Sequence, residues 1–281
     1  MTKTILITGC SSGVGKSAAR HFAAQGWNVV ATMRKPTPDL AEEFPDRILV
    51  HALDVADSAS IEAAIKAGID RFGALDAVVN NAGITILSIF EATPENAARK
   101  IFETNLFGTM NVIRAALPHL REAGGGTIVN VTSGVGIAAI PLLSLYTASK
   151  QAVEGLSASL AYELESQNIR VKMVESGAIR TTNFTASGMA LSQEAPVPEA
   201  YQAYFDHALQ AMIDYPFDST EEQAVVETIY SAATDESRRL RYLIGPDVEE
   251  YARLRWTTSE DAYHAAMDGI TGQAAWRERV A

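Results

Sequence analysis

Short apolar runs alternate with longer stretches of helical repeat along most of the chain. Ile5-Leu6-Ile7 and Ala77-Val78-Val79 are apolar without a break, the pattern of strands covered on both faces. Seven strands are expected on this basis: Thr4 to Thr8, Asn28 to Thr32, Arg47 to His51, Leu75 to Asn80, Thr127 to Thr132, Arg170 to Val174 and Leu240 to Ile244. Lys16 to Gln25 has helical periodicity and stops at Gly26, a residue suited to a left-handed terminus. Ser58 to Ile69 opens on a capping-type serine, with Glu62 expected in the first turn, where it would favour the helix dipole. Strands alternating with helices imply a doubly wound α/β fold: a parallel sheet, helices on both faces, right-handed crossovers.

The rhythm breaks after about residue 183. Residues 184 to 216 lack a strand pattern and are rich in Ala, Met, Tyr and Phe. Ser219-Thr220-Glu221-Glu222 has the spacing of a capping box and is expected to open a helix through Ala233. Residues 1 to 281 are expected to form a single domain, with a substrate lobe near 184–216 and a helical tail after about 246.

Composition narrows the function. The chain has 281 residues, 47% hydrophobic, enough to bury a large core and too apolar for a disordered protein. A net charge of −11 argues against a nucleic-acid partner, which needs a basic surface. The single cysteine, Cys10, cannot form an intrachain disulfide. No run reaches the roughly 18 to 20 apolar residues that cross a bilayer. The first strand pattern runs straight into a glycine-rich loop, so no signal peptide is expected, and a cytoplasmic protein is. His207 and His264 have no metal-ligand spacing with other histidines or the cysteine, and no metal is expected.

Between the first strand and first helix lies Thr8-Gly9-Cys10-Ser11-Ser12-Gly13-Val14-Gly15. Glycines there let the backbone turn tightly, and free N–H groups at the helix start attract phosphate. Gly15-Lys16-Ser17 also ends like a nucleoside-triphosphate loop, but that pattern needs glycine where Cys10 stands. An NTPase is therefore disfavoured.

Further motifs follow in order: Asn80-Asn81-Ala82-Gly83 after the fourth strand, Asn105 in a helical run, Ser133 after the fifth strand, and Tyr146-Thr147-Ala148-Ser149-Lys150 opening the next helix. Together with the glycine loop these resemble the short-chain dehydrogenase/reductase family, over roughly residues 3 to 182 plus the last strand. The resemblance implies a Rossmann-type fold and interconversion of a carbonyl and an alcohol by hydride transfer with a nicotinamide dinucleotide.

The chemistry of the residues agrees. Tyr146 and Lys150 lie one helical turn apart, so both project from one face, and a neighbouring ammonium favours phenolate. Tyr146 is expected as general acid in reduction and base in oxidation, with its pKa lowered by Lys150. The resemblance adds that Lys150 binds the nicotinamide ribose, that Ser133 hydrogen-bonds the substrate oxygen and that Asn105 holds a water connecting the lysine to solvent. An alternative for Ser133 is a serine satisfying a turn.

Gly9, Ser11, Ser12, Gly13, Val14 and Gly15 are the expected pyrophosphate loop. Strand two ends Met33-Arg34-Lys35, with no acid for a ribose 2′-hydroxyl; Arg34 can pair with a 2′-phosphate, so NADP is expected over NAD. Asp54 and Val55 resemble the adenine-contacting pair, a helix-capping turn being the alternative for Asp54. Asn81, Ala82 and Gly83 are expected beside the adenosine ribose, and Ile179 and Thr181 beside the nicotinamide. Relatives usually have Pro-Gly where this chain has Ser176-Gly177, so a looser loop is expected there.

Ile137, Ile140, Leu142, Leu143, Met189, Tyr201, Tyr204, Phe205 and Met212 suggest either an apolar pocket for a hydrophobic ketone or alcohol, or ordinary core. The resemblance also implies a homodimer or homotetramer built through the helices carrying Asn105 and Tyr146. The rival function is a dinucleotide-binding regulator or scaffold without turnover.

Overall fold

The computed structural model describes residues 2–179, 188 and 190–280; Thr181 and Met189 lie outside the described residues. Seven strands, β1 (Thr4–Ile7), β2 (Asn28–Met33), β3 (Ile48–Ala52), β4 (Ala77–Asn80), β5 (Gly126–Val131), β6 (Ile169–Ser176) and β7 (Arg241–Ile244), form one sheet in the order β3-β2-β1-β4-β5-β6-β7. Every pairing is parallel. The order reverses direction between β1 and β4, which opens a crevice at their carboxyl ends.

Alternation along the strands separates two cores. Ile5 and Ile7 face α1 (Gly13–Ala24) and α8 (Glu222–Thr234), packing with Phe22, Val225 and Ile229. Leu6, between them, faces the other way, onto α3 (Ser58–Phe72), α5 (Gly108–Glu122) and α6 (Ser144–Glu165), with Ile61, Val112 and Leu164. All of these are buried, so both helical layers cover the sheet and its apolar runs need no polar face.

The remaining helices are α2 (Asp39–Glu43), α4 (Glu95–Phe102), α7 (Gln202–Ile213), α9 (Pro246–Thr257), α10 (Glu260–Ile270) and α11 (Gln273–Val280). α7 lays Ala208 with Tyr204, Phe205 and Met212 against Ile89 and Leu142, so the aromatic and methionine positions after residue 200 serve at least partly as core. Among the described residues no helix is long and apolar enough to cross a membrane.

Several local expectations need correction. α3 is capped by Asp57, which accepts from the Ala59 N–H at 3.0 Å, and no acid lies in its first turn; Glu62 comes one turn later. The capping box before α8 does not form: Glu221 occupies the cap position without a side-chain bond, and Glu222 instead accepts from the Ser17 hydroxyl of α1. A long-range partner outcompetes the local one. β6 runs two residues past Val174, because β7 continues to pair with it through Ser176 and Ile244.

Candidate active site

The phosphate loop is built from β1 and β4 together. The Thr8 N–H donates to the Val79 carbonyl at 3.0 Å, and the Thr8 hydroxyl accepts from the N–H groups of Asn81 and Ala82, both at 3.0 Å. Asn81 returns its side-chain amide to the Thr8 carbonyl at 2.8 Å. A side chain at Gly15 would put its Cβ 2.4 Å from both the Asn81 amide nitrogen and the Gly9 carbonyl. Close packing of two loops thus requires that glycine, a reason distinct from approach to a phosphate. Thr8 and Asn81 set the loop's shape; Thr8 was legible in the motif but not as a structural clamp.

The start of α1 is open to an anion. No side chain caps it, its first turn carries no acid, Ser12 is extended and Gly13 adopts a left-handed φ of 53°. Ser11 and Ser12 are exposed, Val14 half-buried. Unpaired N–H groups at a helix start make a phosphate site, so these residues fit the pyrophosphate of a dinucleotide. The Cys10 N–H donates to the Thr32 carbonyl at 2.9 Å, which sets the loop beside the end of β2. There Met33 is buried and Arg34 exposed.

Asp54 is exposed and accepts from the Ala56 N–H at 3.0 Å, a local turn of the kind weighed as its alternative role, although the cap of α3 belongs to Asp57. Val55 is buried in the core that includes Ile61 and Val112. Gly83 lies between two polar side chains: a Cβ there would be 3.5 Å from Asn105 Oδ1 and 3.8 Å from Lys150 Nζ.

Asn105 sits in a π-type turn, Glu103–Phe107, between α4 and α5. Its buried amide is bonded on both sides: Oδ1 accepts from the Ile84 N–H at 2.9 Å, while Nδ2 donates to the Ile84 carbonyl at 2.9 Å and the Ser149 hydroxyl at 3.0 Å. Its visible work is to fasten the loop after Gly83 to α6.

Ser133 and Tyr146 meet. The strand end of β5 and the start of α6 bring the two hydroxyls into a hydrogen bond, and Ser133 Oγ also accepts from the Val135 N–H at 3.4 Å. The Val135 bond is the turn contact given above as this serine's alternative. Lys150 lies one turn along α6, buried, with Nζ donating to the Val131 carbonyl at 2.9 Å and standing 5.8 Å from the Tyr146 ring centre.

The proton affinities correct one expectation. Burial pushes the Tyr146 phenol up to about 12, the Ser133 bond opposing it. Burial also brings Lys150 down to about 8, with Glu154 pulling the other way. Loss of solvent thus outweighs any help from the ammonium, and the phenol is a proton donor at neutral pH.

The described start of the loop after β6, Gly177 to Ile179, is fastened where a looser backbone was expected. The Gly177 N–H donates to the Ile244 carbonyl at 2.9 Å, and the Ala178 N–H to Asp247 Oδ2 at 3.1 Å. A Cβ on Gly177 would lie 2.1 Å from Asp247 Oδ1, so the carboxylate fills the space beside the glycine. Ile179 then packs on the α1–α8 core. Asp247 does here what a fixed proline φ would do. The sequence concealed it, because 69 residues separate it from Ala178.

The similarities of the chain fit this geometry. Residues 3–192 match the family model described as short chain dehydrogenase. An uncharacterized oxidoreductase, YusZ of Bacillus subtilis, is 36% identical over 258 residues, spanning 88% of this chain and 90% of that protein. A short-chain dehydrogenase from Streptomyces avermitilis superposes with a TM-score of 0.77 at 30% identity, covering 100% of this chain and 97% of the other. ElxO, solved with NADP bound, gives a TM-score of 0.71 at 28% identity over 86% of this chain and 98% of its own. Other solved neighbours hold NADP or NAD. The Ser133–Tyr146–Lys150 grouping thus stands in an oxidoreductase fold, and the chain belongs to the short-chain dehydrogenase/reductase family.

Proposed function

We propose that this protein is an NADP-dependent carbonyl reductase acting on a hydrophobic ketone or aldehyde, working as a single Rossmann-type domain with residues 184–216 as its substrate lobe. The observation that carries the reading is the hydrogen bond between the Ser133 and Tyr146 hydroxyls, with Lys150 one turn away, at the carboxyl ends of the strands. The bound dinucleotide supplies the hydride.

Tyr146, protonated at neutral pH, donates its proton to the carbonyl oxygen, and Ser133 hydrogen-bonds the same oxygen. Lys150 holds the nicotinamide ribose. Asn105 keeps the Gly83–Ile84 backbone in place beside it and, in this reading, retains the water linking Lys150 to solvent. The N–H groups and hydroxyls from Ser11 to Gly15 take the pyrophosphate, Gly9 allowing the turn. Asn81, Ala82 and Gly83 line the adenosine ribose, Asp54 and Val55 the adenine, Ile179 and Thr181 the nicotinamide. Arg34, exposed at the end of β2, supports the choice of NADP, since an exposed guanidinium pairs with a 2′-phosphate.

An open pocket of about 400 Å³ with five apolar or aromatic walls supports a substrate with apolar groups, although Ser88 and Glu91 also line it. Ile89, Phe90, Leu142, Tyr201 and Tyr204 line it, and Ser144, two residues before Tyr146, stands at its edge. Leu142 has a left-handed φ of 63° and accepts from the Ser88 N–H at 3.0 Å, so strain at this wall is held by the facing loop. Phe107 and Tyr162, exposed on the turn before α5 and on α6, favour self-association through those helices.

The test is NADPH oxidation against a panel of alkyl and aryl ketones and aldehydes. Turnover of apolar members, faster with NADPH than with NADH, is expected. Saturable NADPH binding without turnover of any member would favour the regulatory or scaffold reading instead.

A further inference from the structure

We propose that Gln273 and Trp276, on the C-terminal helix α11, are positioning residues for substrate selection: they hold the Tyr204 ring as a wall of the pocket and so set how well the apolar part of a carbonyl substrate is bound. The inference rests on the reading of that pocket as the substrate site.

Tyr204 lines the pocket together with Tyr201, which caps the start of α7. Its hydroxyl accepts from Gln273 Nε2 at 2.7 Å. Its ring meets Trp276 edge to face, with centres 5.4 Å apart and planes at 74°. That is a favoured aromatic arrangement, and with the hydroxyl also bonded it leaves the ring little freedom. The other phenol is held from the facing wall, where Tyr201 donates to Glu91 Oε2 at 2.8 Å. Each tyrosine of the pocket is thus fixed by a segment other than α7.

α11 reaches Tyr204 because the turn before it is clamped to α7. His207 Nε2 donates to the Gly272 carbonyl at 2.8 Å, and the His207 ring centre lies 5.4 Å from that of Trp276. Trp276 therefore packs against residues one turn apart on α7. Gly272 has a left-handed φ of 77°, and a Cβ there would stand 2.8 Å from Ala211 Cβ, so the close approach of the turn requires glycine. Arg277 pairs with Asp268 and ties α11 back to α10.

A tail that served stability alone would bury apolar side chains. None of the residues of α11 is buried; the helix instead brings one amide and one indole to a single pocket wall. The family match ends at residue 192, so α7 and the tail lie beyond the shared segment. A wall built there can vary while Ser133, Tyr146 and Lys150 stay fixed.

The test compares acetophenone with hexanophenone in the native full-length chain, Gln273→Leu, Trp276→Ala and Trp276→Phe, with circular dichroism reporting the fold. Calorimetry with saturating NADP+ gives Kd for each ketone, and NADPH oxidation gives kcat/KM. The native protein should prefer the longer ketone, whose alkyl chain reaches the Tyr204 wall. Trp276→Ala should lower that preference about ten-fold and Gln273→Leu about three-fold. Acetophenone and NADPH affinities should stay nearly unchanged, and Trp276→Phe should keep most of the preference. An unchanged preference in the folded Trp276→Ala and Gln273→Leu variants overturns the proposal. So does an equal weakening of both ketones and of NADPH, the mark of a merely structural tail. Native protein that binds neither ketone, or binds both alike, overturns it as well. A native preference in Kd without reduction of either ketone would overturn the reductase reading alone, because the Kd ratio decides the role of the tail without catalysis.

Discussion

Lys150 Nζ stands 5.8 Å from the centre of the Tyr146 ring and gives its hydrogen bond to the Val131 carbonyl. The ammonium is thus fixed by β5, independently of the phenol. Two buried groups that each resist ionisation sit side by side, and the pH at which either charges is set by burial before it is set by the neighbour.

Lys150 therefore makes stability depend on pH. Its folded pKa of about 8 lies below the ordinary 10.5, so below pH 8 the fold carries the full cost of burying the ammonium. Between pH 8 and 10.5 the folded protein holds fewer protons than the unfolded chain, and stability rises through that window. Lys150→Met should unfold at higher urea concentration than the native protein below pH 8, with the difference shrinking towards pH 10.5. Urea midpoints across that range check it.

Asp247 accepts from the Ala178 N–H at 3.1 Å and the Val248 N–H at 2.9 Å. Asp247→Ala leaves both without a partner and opens space beside Gly177. A loss of about 1–3 kcal/mol in urea unfolding is expected. If Ile179 contacts the nicotinamide as proposed, KM for NADPH should rise several-fold with a smaller change in kcat.

Arg34 is exposed, so its removal should cost little stability. Arg34→Ala should weaken NADPH binding about ten- to a hundred-fold, equivalent to one or two charge-assisted hydrogen bonds, and leave NADH binding nearly unchanged. Fluorescence titration with both dinucleotides measures the ratio; equal weakening of the two would remove the basis for NADP preference.

The fold was legible because each strand carries its own signal. Ile5, Leu6 and Ile7 alternate between two apolar layers, and this demands an unbroken apolar run that any reading of the chain detects. Ser133, Tyr146 and Lys150 were legible through fixed spacing across one strand end and one helical turn. Asp247 was not, since its partner Ala178 comes from a distant element and a lone acid carries no local pattern. The raised proton affinity of Tyr146 was not legible either, as spacing reports a neighbour's charge and says nothing of lost solvent.

The central claim is that the Tyr146 phenol delivers the proton. The most direct measurement is single-turnover oxidation of bound NADPH by the best carbonyl compound of the panel, comparing the native protein with Tyr146→Phe. The phenylalanine variant should bind NADPH with closely similar affinity and lose about a hundred-fold or more of its rate. Retention of most of the native rate, with NADPH bound, would contradict the assignment.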